Sequence, residues 1–105
     1  MSGRRRPMER IGDLLPDAAR RLGLEDELRL ARATSTWAVI VAERAPAAAG
    51  ATRLLRLGRA EIVVEADHPI VAQELRIRSA ELLEAFAGAP GGTRAGELRV
   101  VVRRI

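Results

Sequence analysis

The chain has 105 residues, which is enough for one domain with a single modest core. It contains no cysteine, and this excludes thiol catalysis, disulfide bonds and metal sites built on thiolates. All 18 basic residues are arginine and the net charge is only +4, which excludes a uniformly basic surface over the whole domain.

The first ten residues carry most of the excess positive charge. They contain four arginines and one glutamate, so we expect residues 1–10 to form a flexible basic arm and residues 11–105 to form a single domain. Neither the arm nor any later segment has an apolar run long enough for a signal sequence or a membrane span. We therefore expect an unexported, cytoplasmic protein with no membrane partner.

Two helices are predicted after the arm. The first is expected to begin with Asp13 as N-cap and to end at Gly23, because aspartate accepts hydrogen bonds from the first turn and glycine often follows a helix. The second is expected to begin at the acidic residues 25–27 and to end before Pro46. Residues 34–36 are weak helix formers, so a bend or break is expected there. The apolar stripe of this helix consists of Leu30, Ala33, Trp37, Ile40 and Val41.

The centre of the chain predicts a β-hairpin that leads into a helix. Residues 53–57 form a short strand and Gly58-Arg59 a tight turn. In residues 60–66 every even position is apolar, the period of two that is typical of a strand with one buried face. Asp67 and Pro69 mark the start of a helix, since an acidic group favours the positive helix end and proline fits the first turn.

The remaining elements are one helix and one strand. Helical spacing of apolar residues continues from Pro69 to Phe86. Residues 88–96 are rich in glycine and are expected to form a loop, and residues 97–105 alternate as a closing strand. The predicted order is α-α-β-β-α-β, an α+β fold with a three-stranded sheet covered by helices.

The residues offer little for catalysis or for binding a metal or cofactor. His68 is the only histidine, and at a helix start it is expected to act as a capping or turn residue. The hydroxyl residues have no obvious base nearby in sequence. Glu81 and Glu84 are expected to be solvated beside Arg76 and Arg78 rather than to act as a catalytic pair. We therefore predict a protein that is not an enzyme and has no catalytic, cofactor or metal site.

Nucleic-acid contacts are predicted to involve phosphates rather than bases. Trp37 and Phe86 are the only aromatic residues, and both are expected to be buried, so no stacking platform is predicted. Residues 88–91 match the Gly-x-x-Gly clamp of KH domains, but that clamp joins two helices, so a plain loop is favoured here. The phosphate candidates are Arg4, Arg5, Arg6, Arg10, Arg99, Arg103 and Arg104. The last three of these arginines can equally be charges that protect an edge strand.

The chain resembles the DciA family of bacterial proteins, once known as a domain of unknown function. The resemblance spans residues 11–105 and is carried by the lone Trp37 with Ile40 and Val41 after it, by the run Ala-Gln-Glu-Leu at 72–75, and by the closing Arg-Arg-Ile at 103–105. This chain has alanine at 42, where the family usually has glycine, and valine at 71, where it often has an aromatic residue.

The resemblance implies a role in DNA replication. DciA-like proteins bind the replicative DNA helicase and assist its loading or activation on DNA without being ATPases, and this chain has no lysine with which to build a phosphate-binding P-loop. The implied fold is KH-like and similar to the N-terminal domain of the initiator DnaA. The implied partners are the helicase and, weakly, single-stranded or forked DNA. A monomer is expected.

Trp37 is the residue to which the resemblance assigns helicase binding. The alternative interpretation is that its ring anchors the core under the sheet, since large aromatic side chains dominate small cores. Two alternatives to the helicase adaptor also remain open. One is a KH-like RNA-binding module, and the other is a subunit of a small hydrolase or transferase, which the missing nucleophile and base disfavour.

Overall fold

The computed structural model describes the backbone of residues 2–104 and the side chains of residues 18–104. Along the chain lie helix α1 (Ser2–Arg44), a short 3-10 turn (Pro46–Ala48), strands β1 (Thr52–Leu57) and β2 (Glu61–Ala66), helices α2 (Pro69–Ile77) and α3 (Ser79–Gly88), and strand β3 (Glu97–Val102). Three helices and a three-stranded mixed sheet confirm the predicted α+β class and agree with a small KH-like fold. The division into an arm, residues 1–10, and a domain stays a prediction.

The two helices predicted before the hairpin are a single helix, so that prediction was wrong. Helix α1 continues through Gly23, where the cost of glycine relative to alanine is only about 1 kcal/mol. It also continues through residues 34–36. There the hydroxyl of Thr34 donates to the carbonyl oxygen of Leu30 at 2.7 Å, and Ser35 donates in the same way to Ala31 at 3.3 Å. These bonds satisfy the polar groups inside the helix.

The sheet has the order β1-β2-β3, with β2 in the centre. Strands β1 and β2 form the predicted antiparallel hairpin, and the amide of Gly58 donates to the carbonyl oxygen of Glu61 at 2.8 Å. The register shifts between Leu54 and Arg56, so Leu55 forms a bulge. Strand β3 pairs with β2 in parallel, and α2 and α3 make the crossover that a parallel pair requires.

The long helix predicted from Pro69 is divided at Arg78, which is a second correction. Arg78 has φ −97° and ψ 14° and separates α2 from α3. Helix α2 buries Val71, Ala72 and Leu75, whereas α3 buries Leu82 and Phe86. Residues 78 and 79, between the two apolar groups, are polar, so the chain can change direction there. The N-terminus of α2 lies where it was predicted, but the His68 side chain makes no capping hydrogen bond.

The core lies between one face of the sheet and the three helices. From the central strand it receives Ile62, Val64 and Ala66, as the period of two predicted. The other positions of that strand, Glu61, Val63 and Glu65, lie on the outer face of the sheet, where both glutamates are partly exposed and Val63 is 9% exposed. This arrangement leaves two kinds of surface for binding: the outer sheet face and the grooves between the helices.

Candidate functional site

Trp37 lies in the core. Its side chain is 1% exposed, and its ring meets the ring of Phe86 edge-to-face, with centroids 5.9 Å apart and an interplanar angle of 81°. The indole N–H donates to the hydroxyl oxygen of Thr52 at 3.1 Å. One side chain thus connects α1, α3 and β1. The placement agrees with the core-anchor interpretation, and a role of Trp37 in helicase binding stays a prediction.

The phosphate candidates are not gathered in one place among the described side chains. Arg99 lies on β3 opposite Val63, with its side chain exposed on the outer sheet face. Arg103 and Arg104 follow β3, are exposed, and line a cavity of about 350 Å³ together with Asp67 and His68. The side chains of Arg4, Arg5, Arg6 and Arg10 lie outside the described part of the chain.

The outer sheet face carries charges of both signs. Arg53 pairs across the strands with Glu65, and Arg56 forms an ion pair with Glu61 at 3.0 Å. Exposed ion pairs of this kind contribute little stability, but they neutralise part of the positive charge near Arg99. This face is therefore a mixed surface and not a continuous basic strip along which a nucleic-acid backbone could run.

The junction between α2 and α3 carries no glycine clamp. It reads Ile-Arg-Ser-Ala over residues 77–80, where a KH-type clamp would place its two glycines. The guanidinium of Arg78 donates to the carboxylate of Glu74 and lies 3.6 Å from that of Glu81. The hydrogen bond with Glu74 and the charges of both carboxylates hold the pKa of Arg78 above its ordinary value. Because the two carboxylates neutralise part of its positive charge, Arg78 would attract a phosphate less strongly.

The segment that does match Gly-x-x-Gly, residues 88–91, is a loop between α3 and β3, as predicted. It is held to α1, because the Thr36 hydroxyl donates to the carbonyl oxygen of Pro90 at 2.7 Å. Gly91 has φ +83°, and an added Cβ would lie 2.8 Å from the Thr36 hydroxyl oxygen and 2.9 Å from Cγ of Arg32. Glycine is thus required for the backbone to approach α1, which is a structural role.

A groove between α1 and α3 is the feature that the sequence did not predict. We call it the α1–α3 groove; its volume is about 690 Å³. Val39 of α1, which is 57% exposed, and Ala85 of α3 both line it. The signal in the sequence that could have indicated the groove was Val39, an apolar residue that lies outside the stripe of buried residues on α1. The groove is lined by Thr36, Val39, Ile40, Glu43, Arg44, Glu81, Glu84, Ala85, Gly88, Ala89 and Pro90.

Over residues 18–104, no three histidine or acidic side chains lie together as ligands of a metal ion would, and no polar or charged residue is buried. None of the helices, over the part of the chain that the structure describes, combines the length and the apolar character that crossing a membrane would require.

The model of the family described as "Dna[CI] antecedent, DciA" matches residues 10–100. No curated protein matches the chain.

Proposed function

Because the chain belongs to the DciA family, whose members act in bacterial DNA replication, we propose that it is a non-enzymatic adaptor that binds the replicative DNA helicase and assists its loading or activation on DNA. The observation that carries this proposal is the family match over residues 10–100, which covers nearly the whole domain. A cytoplasmic location and a monomeric state are parts of the same proposal.

The surface proposed for the helicase is the sheet together with the region of α1 that follows residue 25. Trp37 lies beneath this region and connects α1 to α3 and β1. A ring that is 1% exposed offers a partner almost no area, so we propose that Trp37 supports helicase binding by holding the surface in place. Direct contact would require the ring to leave its pocket.

We expect a stable complex when the chain is mixed with the replicative helicase from the same organism at micromolar concentrations. Analytical gel filtration with both proteins, and with each alone, would detect it as co-elution. A small domain of similar net charge and unrelated fold serves as the control for non-specific binding. Absence of a complex with the helicase, or equal binding by the control, would overturn the proposed function.

DNA binding is proposed to occur mainly through phosphate contacts of the arginines at both ends of the chain. On single-stranded DNA, each such contact adds about 0.7 to the slope of log affinity against log salt concentration. Replacing Arg99, Arg103 and Arg104 with glutamine is therefore expected to weaken binding and to lower that slope by roughly 2. Fluorescence anisotropy with a labelled oligonucleotide at several salt concentrations measures both quantities.

The matched control removes the same charge elsewhere in the domain. Arg32, Arg44 and Arg94 are exposed and were not phosphate candidates, so their replacement with glutamine should leave the slope nearly unchanged. Equal losses in both variants would show that general charge, not these arginines, determines the affinity. A strong preference for RNA over single-stranded DNA of the same sequence would favour the alternative of a KH-like RNA-binding module.

A further inference from the structure

We propose that the α1–α3 groove is the docking site for the helicase, and that it takes a helicase segment with an apolar side chain flanked by basic residues. This inference rests on the proposed function. It adds the surface and the chemistry of the partner segment, neither of which the family match supplies.

The apolar side chains that line the groove, which we call its floor, are accessible to a partner. Val39 exposes 57% of its side chain although it lies on α1 between the buried Trp37 and Ile40. Ala85 and Ala89 are half-buried on the opposite wall, and their small side chains leave a volume of about 690 Å³. A branched or aromatic side chain of a partner would fit between the two walls and bury apolar area there.

The rim of the groove selects the charge of the partner. Three carboxylates border it, from Glu43, Glu81 and Glu84, against one guanidinium from Arg44. Glu81 is already near Arg78 at 3.6 Å, whereas neither Glu43 nor Glu84 forms an ion pair with a described side chain. Covering these two carboxylates without a compensating charge is costly, because each would lose its water. A partner segment must therefore supply lysine or arginine beside its apolar residue.

The walls of the groove are held in fixed positions. Trp37 and Phe86 pack edge-to-face behind the floor and join α1 to α3. At one end, the hydrogen bond from the Thr36 hydroxyl to Pro90 holds the loop against α1. A preformed groove needs little ordering on binding, which favours affinity. This arrangement also gives Trp37 a positioning role, because loss of its ring would change the distance between the two walls.

The two most exposed large apolar residues among the described side chains form a less suitable surface. Ile70 and Ile77 are 77% and 71% exposed and lie two turns apart on the outer side of α2. They stand on the convex surface of a short helix and not in the groove. They are therefore useful as controls for the effect of removing exposed apolar area.

The decisive test reverses the charges of the rim. Replacing both Glu43 and Glu84 with arginine should weaken binding to the helicase by at least about tenfold, because like charges would then face each other across the interface. The matched control replaces Glu27 and Glu97 with arginine, which changes the net charge by the same amount. Glu27 lies on the opposite side of α1 by helical periodicity and Glu97 at the start of β3 on the outer sheet face. The control should bind as the wild type does.

A second pair of variants tests the floor without changing charge. Val39→Ala should weaken helicase binding several-fold, whereas Ile77→Ala should leave it unchanged. Both positions are exposed, so both variants should melt close to the wild-type temperature. If the rim variant failed to fold, this pair would decide the question.

The identity of the partner segment is read by cross-linking. A photoreactive amino acid at position 39 should cross-link to a helicase peptide that contains lysine or arginine next to an apolar residue, and an acidic peptide would overturn the inference. If the wild type binds the helicase and the groove variants bind it as well as their controls do, this inference is overturned and the proposed function remains. No binding by the wild type would overturn the proposed function and this inference together.

Discussion

Replacing Trp37 with alanine is expected to lower the free energy of unfolding by about 3 to 5 kcal/mol, the usual cost of removing a large buried aromatic side chain. The ring is 1% exposed and connects three elements, so the cavity could not close without moving α1 or α3. A domain of this size has about 5 to 15 kcal/mol of stability in total, so the loss removes a large fraction of it, and at the lower end of that range much of the variant would be unfolded. Urea denaturation followed by circular dichroism measures the change.

Two further variants separate packing from other effects of the substitution. Thr52→Val removes the acceptor of the indole hydrogen bond and keeps the shape of the side chain, and should cost about 1 to 2 kcal/mol. Val39→Ala, two residues away on the exposed side of α1, should change stability by less than about 0.5 kcal/mol. If Trp37→Ala melted as the wild type does but no longer bound the helicase, the ring would be an interface residue and not a core anchor.

Replacing Phe86 with alanine is expected to be nearly as damaging, with a loss of about 3 to 5 kcal/mol. Phe86 is fully buried and forms the other half of the edge-to-face pair with Trp37. The two single losses should not add in the double variant, because each substitution removes the same contact between α1 and α3. The coupling energy is expected to be about 0.5 to 1.5 kcal/mol, as for other aromatic pairs.

Phe86 also offers a functional comparison for Trp37. It has no exposed surface, so it cannot contact a partner in the folded domain. Phe86→Leu keeps most of the buried volume, and we expect it to fold and to bind the helicase more weakly than the wild type does, because the groove wall would shift. Unchanged binding by a folded Phe86→Leu would show that the spacing of α1 and α3 does not matter to the helicase.

Local patterns in the sequence predicted several elements well. The hairpin with its turn at Gly58 and the start of a helix at Pro69 follow from alternation and from turn and N-terminal residues that act over a few positions. The stripe through Trp37 and Ile40 correctly predicted the buried face of α1. These features depend on contacts within one element, or on the simple requirement that an apolar face be covered.

The predictions failed where a local sequence signal contributes only a small free energy to starting or ending a helix. The sequence predicted that a helix ends at Gly23, yet α1 continues through this residue. It also predicted that Arg78 lies inside a helix, yet the chain turns there between α2 and α3. A single glycine disfavours a helix by only about 1 kcal/mol, which is easily outweighed by the hydrogen bonds of a continuous helix. At Arg78 the chain can turn because residues 78 and 79 are polar and the buried residues of α2 and α3 lie on either side of them in the sequence.

By itself, the sequence determined the α+β class, the absence of cysteine chemistry and the resemblance to DciA proteins, because composition and periodicity are properties of the chain. Only the tertiary structure decided where Trp37 lies and that α1 and α3 leave a groove with an acidic rim. Val39 lies on α1, far along the sequence from Glu84 and Ala85 on α3. Whether such residues face one another depends on how the helices pack on the sheet, and no local pattern contains that information.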